Sequence, residues 1–149
     1  MSKIPKVIHF CWFGGAEYPE LIKKCIASWE KYLPEYEIIK WSEENFDINC
    51  NQYVKEAYEN KKWAFITDYV RLYALYNYGG VYLDSDVEVL KPIDKFLDDE
   101  AFSGFESRDS VPTAIMASVK GQRFMGELLH DYDDRKLILE DGSIDMTSN

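Results

Sequence analysis

Tyr78-Gly79-Gly80-Val81-Tyr82-Leu83-Asp84-Ser85-Asp86 joins a helical pattern to a strand pattern and ends in two carboxylates. Upstream of it, Trp63 to Tyr78 repeats Phe65, Tyr69, Leu72 and Tyr76 at helical spacing, which predicts a helix with one apolar stripe. Gly79-Gly80 supplies a left-handed cap to end that helix. Val81 to Asp84 then reads as a compact buried strand, and Val87 to Leu90 alternates as an edge or hairpin strand would.

Working outward, Lys6 to Phe13 is a β-rich run closed by Gly14-Gly15, and Tyr36 to Trp41 is a second strand candidate. Between them Leu21, Ile22, Cys25, Ile26, Trp29 and Leu33 recur at helical spacing over Glu20 to Leu33, where Pro34 stops the run. Asn51 to Lys62 is helix-like. Downstream, Ala101 to Glu106 and Thr113 to Ser118 are short strand candidates, and Arg123 to Tyr132 is a helix. Strands alternating with helices predict one α/β domain over residues 1–132 with a largely parallel sheet. Residues 133–149 are read as a polar, mobile tail.

The 149 residues suffice for a single core, with 46% hydrophobic residues to build it. With 17 basic against 27 acidic side chains the formal charge is −10, which disfavours nucleic acid as a partner. Small basic patches at Lys23-Lys24 and Lys61-Lys62 leave room for peripheral contact with a membrane face. The three cysteines, Cys11, Cys25 and Cys50, are widely spaced and lack a Cys-x-x-Cys pair, so a reducing cytoplasm is expected. No apolar run approaches the roughly 18 residues that span a bilayer.

The chemistry centres on Asp84 and Asp86. If the strand stays extended through them, its two-residue period puts both carboxylates on one face while Val81 and Leu83 pack inward. Like charges this close call for a cation, and an oxygen-only pair suits Mg²⁺ or Mn²⁺. A bare Asp-x-Asp is also common in acidic loops, so the motif alone decides little. Asp68 and Arg71 lie three apart on the strong helix and share a face. They read either as an exposed ion pair worth about 0.2–0.5 kcal/mol or as groups bordering the same pocket, with Arg71 meeting a phosphate or sugar hydroxyl. Trp12, leaving the first strand before two glycines, offers a face on which a flat base stacks; core packing is the plainer reading for it, as for Trp29, Trp41 and Trp63. His9 and His130 have no companion at metal-ligand spacing and read as structural. Phosphate-loop and nucleophile-elbow motifs are absent.

Three blocks, Ile4 to Gly15 (IPKVIHFCWFGG), Ala64 to Arg71 (AFITDYVR) and Tyr78 to Asp86, occur in an order that closely resembles glycosyltransferase family 32, the sugar transferases with a DXD motif. That family includes fungal mannosyltransferases and bacterial capsule or lipopolysaccharide enzymes, with clostridial glucosylating toxins as distant relatives. The resemblance runs from Ile4 to about Tyr132. It implies a GT-A-like, Rossmann-like fold with a mixed sheet, a divalent metal (Mn²⁺ or Mg²⁺), and retaining transfer from a nucleoside-diphosphate sugar to a glycan or lipid-linked acceptor in surface polysaccharide synthesis. By position it implies that Asp86 binds the metal, Asp84 serves the metal or the ribose, Trp12 stacks on the base, and Asp68 and Arg71 hold donor-sugar hydroxyls. Thr67 stands where the family often has Ser and keeps the hydroxyl.

Two other readings stay open on the residues alone. One is a haloacid-dehalogenase-type phosphatase with Asp84 as nucleophile; the other is a non-catalytic sugar-nucleotide or metal-binding module. Members of the family continue well beyond Tyr132, so the catalytic domain is expected to be C-terminally incomplete. An unfinished sheet is expected to favour self-association into a homo-oligomer.

Overall fold

The computed structural model describes residues 4–91, 101–103 and 115–133, the short middle segment as backbone only. Its elements are β1 (Val7–Cys11), α1 (Glu20–Tyr32), β2 (Glu37–Trp41), α2 (Gln52–Glu59), α3 (Trp63–Tyr78), β3 (Gly80–Leu83), β4 (Ala101–Ser103), β5 (Ile115–Ser118) and α4 (Arg123–His130). They build one five-stranded sheet in the order β2-β1-β3-β5-β4. β1 is parallel to both β2 and β3, while β5 is antiparallel to β3 and to β4. The α/β class is as read from the sequence, and the sheet is evenly mixed: parallel on its N-terminal side, antiparallel beyond β3.

Strand alternation divides the core in two. Ile8, Phe10, Val81 and Leu83 point to one face and pack with Trp29 and Leu33 of the α1 region. Cys11 and Tyr82 point to the other, where they share a cluster with Ile66, Val70, Ala74 and Leu75 of α3, and α2 and α4 pack against α3 in turn. The predicted stripe on α3 is thus only part of what it buries. Phe65 and Tyr76 are half-buried, whereas Ile66, Val70, Ala74 and Leu75 are fully enclosed. A helix sandwiched between a sheet and other helices loses water on more than one side, so its pattern is broader than a single stripe.

The junction from α3 to β3 depends on backbone that only glycine adopts comfortably. Gly79 has φ 71° and ψ 172°, so the cap has the positive φ expected of glycine but an extended ψ rather than the left-handed helical one. At Gly80, φ is 120°, and a Cβ would fall 2.6 Å from the Val7 carbonyl oxygen. His9 locks the same corner. Its Nδ1 accepts from Trp41 Nε1 (3.1 Å), which leaves Nε2–H to donate to the Gly79 carbonyl (2.8 Å). This is the satisfied structural histidine expected from the sequence.

Val87 to Leu90 is not a strand. Trp29 Nε1 donates to the Val87 carbonyl (2.8 Å) and the Val89 amide donates to Ser28 Oγ (2.9 Å), so side chains of α1 take the backbone groups that a ladder would have used. Alternation alone does not distinguish a strand from a segment stapled to a helix in this way. Residues 104–106 and 113–114 of the two downstream strand candidates, and the tail from residue 134, lie outside the described residues. Among the described residues, no helix is long and apolar enough to cross a membrane.

Candidate functional site

The chain leaves β1 to one side to make β2, then returns past it to make β3 on the other. In an open parallel arrangement the carboxyl ends of two strands whose connections diverge in this way border a crevice, because neither crossover fills the space between them. Trp12 follows β1 and Asp84 follows β3, and both line a cleft of about 470 Å³ at this place. Asp68, Arg71 and Asp86 line it as well. All five residues singled out from the sequence therefore meet in one cavity.

Trp12 is fixed from three sides. Its amide donates to the Trp41 carbonyl (2.9 Å), extending the β1–β2 ladder by one residue. Its indole N–H donates to Ala16 (2.7 Å), and its ring meets Tyr18 edge to face at 5.1 Å. The ring is only half-buried. It also borders a second depression of about 540 Å³ that reaches Lys40 and Ser42 at the end of β2.

Across the cleft, Arg71 is the hub. Its guanidinium lies 3.2 Å from Asp68 Oδ1 and 3.5 Å from Asp84 Oδ1, and its side chain is 8% exposed. Nε donates to the Thr67 carbonyl (3.1 Å), and the group sits 4.8 Å from the centre of the Tyr82 ring. Burial opposes the charge, but Tyr82, Asp84 and Asp68 outweigh it and hold the Arg71 pKa above its ordinary value. The reading of Asp68 and Arg71 as an exposed pair is corrected here. The helix face that carries Arg71 is roofed by β3, so the side chain is enclosed and engages a carboxylate from a different element.

Asp84 and Asp86 are not related by strand alternation. β3 ends at Leu83, and the Val87 amide donates to the Asp84 carbonyl (3.0 Å), closing a turn over Asp84 to Val87. Asp84 still follows Tyr82 onto the α3 face, where Tyr82 Oη donates to Asp84 Oδ1 (2.7 Å). Asp86 lies within the turn and is exposed beside the cleft that it lines.

Tyr82 is the member that the sequence reading passed over. Two residues before Asp84 on the same strand face, it was legible from the period alone. Burial pushes its phenol well above the usual range, with Cys11 and Asp84 adding and Arg71 opposing, so it remains a hydrogen-bond donor. Cys11 beside it is raised to about 12, chiefly by burial, and contributes a neutral wall rather than a nucleophile.

Among the charged residues that line the cleft, one guanidinium faces three carboxylates, a net charge of −2. No group of three or more His, Cys, Asp or Glu side chains able to hold a metal occurs among the described residues. A pair of carboxylates nevertheless fits Mg²⁺ or Mn²⁺. Such hard ions take one or two protein carboxylates and fill their other positions with water and phosphate oxygens.

Residues 1–136 match the family described as "Capsular polysaccharide synthesis protein". The chain belongs to this family. The match agrees with the resemblance to capsule and mannosyltransferase sugar transferases read from the three blocks. It is 29% identical over 87% of its length to inositol phosphoceramide mannosyltransferase 3 of Schizosaccharomyces pombe. It is 30% identical over 81% of its length to a mannosyl phosphorylinositol ceramide synthase of Saccharomyces cerevisiae. The chain spans about a third of these relatives, 37% and 32% of their lengths. Among solved structures it resembles the PaToxG glycosyltransferase, with a TM-score of 0.65 and 19% identity over 85% of this chain and 58% of that one. At that identity the likeness concerns the fold, and the fold is that of a glycosyltransferase.

Proposed function

We propose that this chain is the donor-binding part of a metal-dependent glycosyltransferase that moves a hexose from a nucleoside-diphosphate sugar to a glycan or lipid-linked acceptor. The observation that carries this reading is a cleft at the carboxyl ends of β1 and β3 with an aromatic face on one side and two carboxylates on the other. A nucleotide sugar has the matching sequence of parts: a flat base, a diphosphate and a polar ring. The base stacks on Trp12, and the depression beyond it, lined by Lys40 and Ser42, gives a ligand of that length room to extend.

Transfer requires the diphosphate to leave the anomeric carbon while negative charge grows on its oxygens. The cleft's own charge of −2 opposes that, and Arg71 already serves Asp68 and Asp84. Asp84 and Asp86 would hold a Mn²⁺ or Mg²⁺ ion, which when bound supplies the neutralising charge. Tyr82 and Arg71 hold Asp84 in place for this, and Asp68, fixed by Arg71, faces the donor sugar and accepts from its hydroxyls. The mannosyl transfer named for the fungal relatives supports a hexose as the group moved. Retention fits the family resemblance.

The phosphatase reading is disfavoured by the same geometry. A nucleophilic Asp84 would leave Trp12 and Asp68 without a role, although both line the same cleft. The test is to incubate the chain with UDP- and GDP-hexoses and Mn²⁺ and to measure nucleoside diphosphate and free hexose together. Metal-dependent release of both, lost in Asp86→Asn, is expected. Release of phosphate from phosphomonoesters with no nucleotide-sugar cleavage would overturn the proposal.

A further inference from the structure

Trp63, the first residue of α3, lines the donor cleft together with Trp12. It also lines a separate open groove of about 460 Å³, together with Tyr58, Glu59 and Lys61. The two depressions therefore meet at one indole. The edge of the ring that carries Cζ2, Cε2 and Nε1 faces Gly14, where a Cβ would come within 2.9 Å of Cζ2 and 3.4 Å of Nε1, and the ring tilts against Tyr58 at 5.6 Å. The indole is held in place while staying half-exposed.

Three of the four tryptophans donate their indole N–H to protein: Trp12 to Ala16, Trp29 to Val87 and Trp41 to His9. Trp63 Nε1 has no such acceptor among the described residues and lies on the edge of the ring that faces Gly14, a residue that lines the same open groove. The turn that leads into it holds Lys61 at φ 56°, the one non-glycine residue of positive φ among the described residues. That conformation is uncommon for a lysine and sets the entry of α3, hence the pose of Trp63.

From Trp63 the helix carries Thr67 and Arg71 at successive four-residue steps, so the three share a face that runs from the groove to Asp84. We infer that Trp63 is the platform of an acceptor subsite, which stacks the terminal pyranose of a saccharide against the indole and takes one of its hydroxyls on Nε1. An amphipathic sugar ring suits an aromatic floor of Tyr58 and Trp63 with a polar rim of Glu59 and Lys61. The inference rests on the donor-site reading, since Trp63 also lines the cleft proposed to hold the nucleotide sugar.

The experiment uses nuclear magnetic resonance of the whole chain, with the four indole N–H signals assigned by single Trp→Phe substitutions. Methyl pyranosides of mannose, glucose and galactose and their disaccharides are titrated in, with and without UDP, GDP and Mn²⁺. At least one saccharide is expected to shift the Trp63 signal while the Trp29 and Trp41 signals stay in place. Trp63→Ala should weaken that binding about tenfold, and Trp63→Phe, which keeps an aromatic face at the same place, should retain most of it. Three results would overturn the inference: no saccharide moves the Trp63 signal, Trp63→Ala leaves saccharide affinity unchanged, or only the sugar of an intact nucleotide sugar moves it. Failure of the nucleotide to bind in wild type would strike the donor-site reading instead, and the saccharide arm would still be read separately.

Discussion

Arg71 holds two carboxylates from inside the fold, and this sets what its loss would do. Removing it leaves Asp68 and Asp84 facing each other without their cation, and it also strips the guanidinium from the Tyr82 ring. Breaking a fully buried pair costs roughly 3–5 kcal/mol; both carboxylates here keep some water, so about 2–3 kcal/mol is expected for Arg71→Ala. Chemical denaturation measures it, and a change below the error of the fit would mean that the enclosed pair contributes nothing to stability. The value of about 0.2–0.5 kcal/mol for an exposed pair is revised accordingly: spacing shows that two residues share a helix face but not what covers that face. Trp12 is the contrasting case, half-exposed and attached mainly through its own loop. Trp12→Ala should weaken nucleoside-diphosphate binding by roughly 1–3 kcal/mol with a small change in melting temperature. Nucleotide quenching of tryptophan fluorescence that survives unchanged in the variant would remove Trp12 from the site.

At the scale of elements, the corner where β1, β2 and the end of α3 meet is closed by a neutral histidine. Burial, only partly offset by the bond to Gly79, lowers the His9 pKa below its ordinary 6.5. The unfolded chain therefore takes up a proton near pH 6.5 that the folded chain refuses, and stability rises with pH across that window. The contribution is intact above about pH 6.5 and is lost on acidification until the folded-state value is passed. Urea midpoints measured downward from pH 7.5 should begin to fall near pH 6.5, and His9→Gln should flatten that first decline. A wild-type midpoint that stays level to pH 5 would contradict the account. The elements themselves were legible: α3 spans Trp63–Tyr78 as its stripe and following glycines indicated, and α1, β1, β2 and α4 lie within a few residues of their patterns. Val87 to Leu90 misled because its backbone partners are the side chains of Trp29 and Ser28, more than fifty residues away in sequence. The turn at Asp84 misled for a related reason, since a short strand can stop at its last core residue and let a single backbone bond turn the chain aside.

For the whole molecule, the site's position is a product of topology. β1 lies between β2 and β3, so the ends of β1 and β3 border one crevice, and residues more than seventy positions apart line the same cleft. Local periodicity carries no strand order, so the mixed sheet was expected from the family resemblance, and the extent of its antiparallel β3–β5–β4 half became visible only in the pairing. The resemblance carried by the order of three blocks nevertheless grouped Trp12, Asp68, Arg71, Asp84 and Asp86 before the fold was known, whereas each residue taken alone had a plainer structural reading. The central claim is that a divalent cation and a nucleoside diphosphate bind this cleft as a coupled pair through Asp84 and Asp86. Isothermal titration of UDP and GDP into wild type and Asp86→Asn, each with and without Mn²⁺, tests it most directly. In wild type, Mn²⁺ should raise the affinity for at least one nucleotide about tenfold or more, and Asp86→Asn should abolish most of that gain. Equal nucleotide affinity with and without Mn²⁺ in both proteins would contradict the claim.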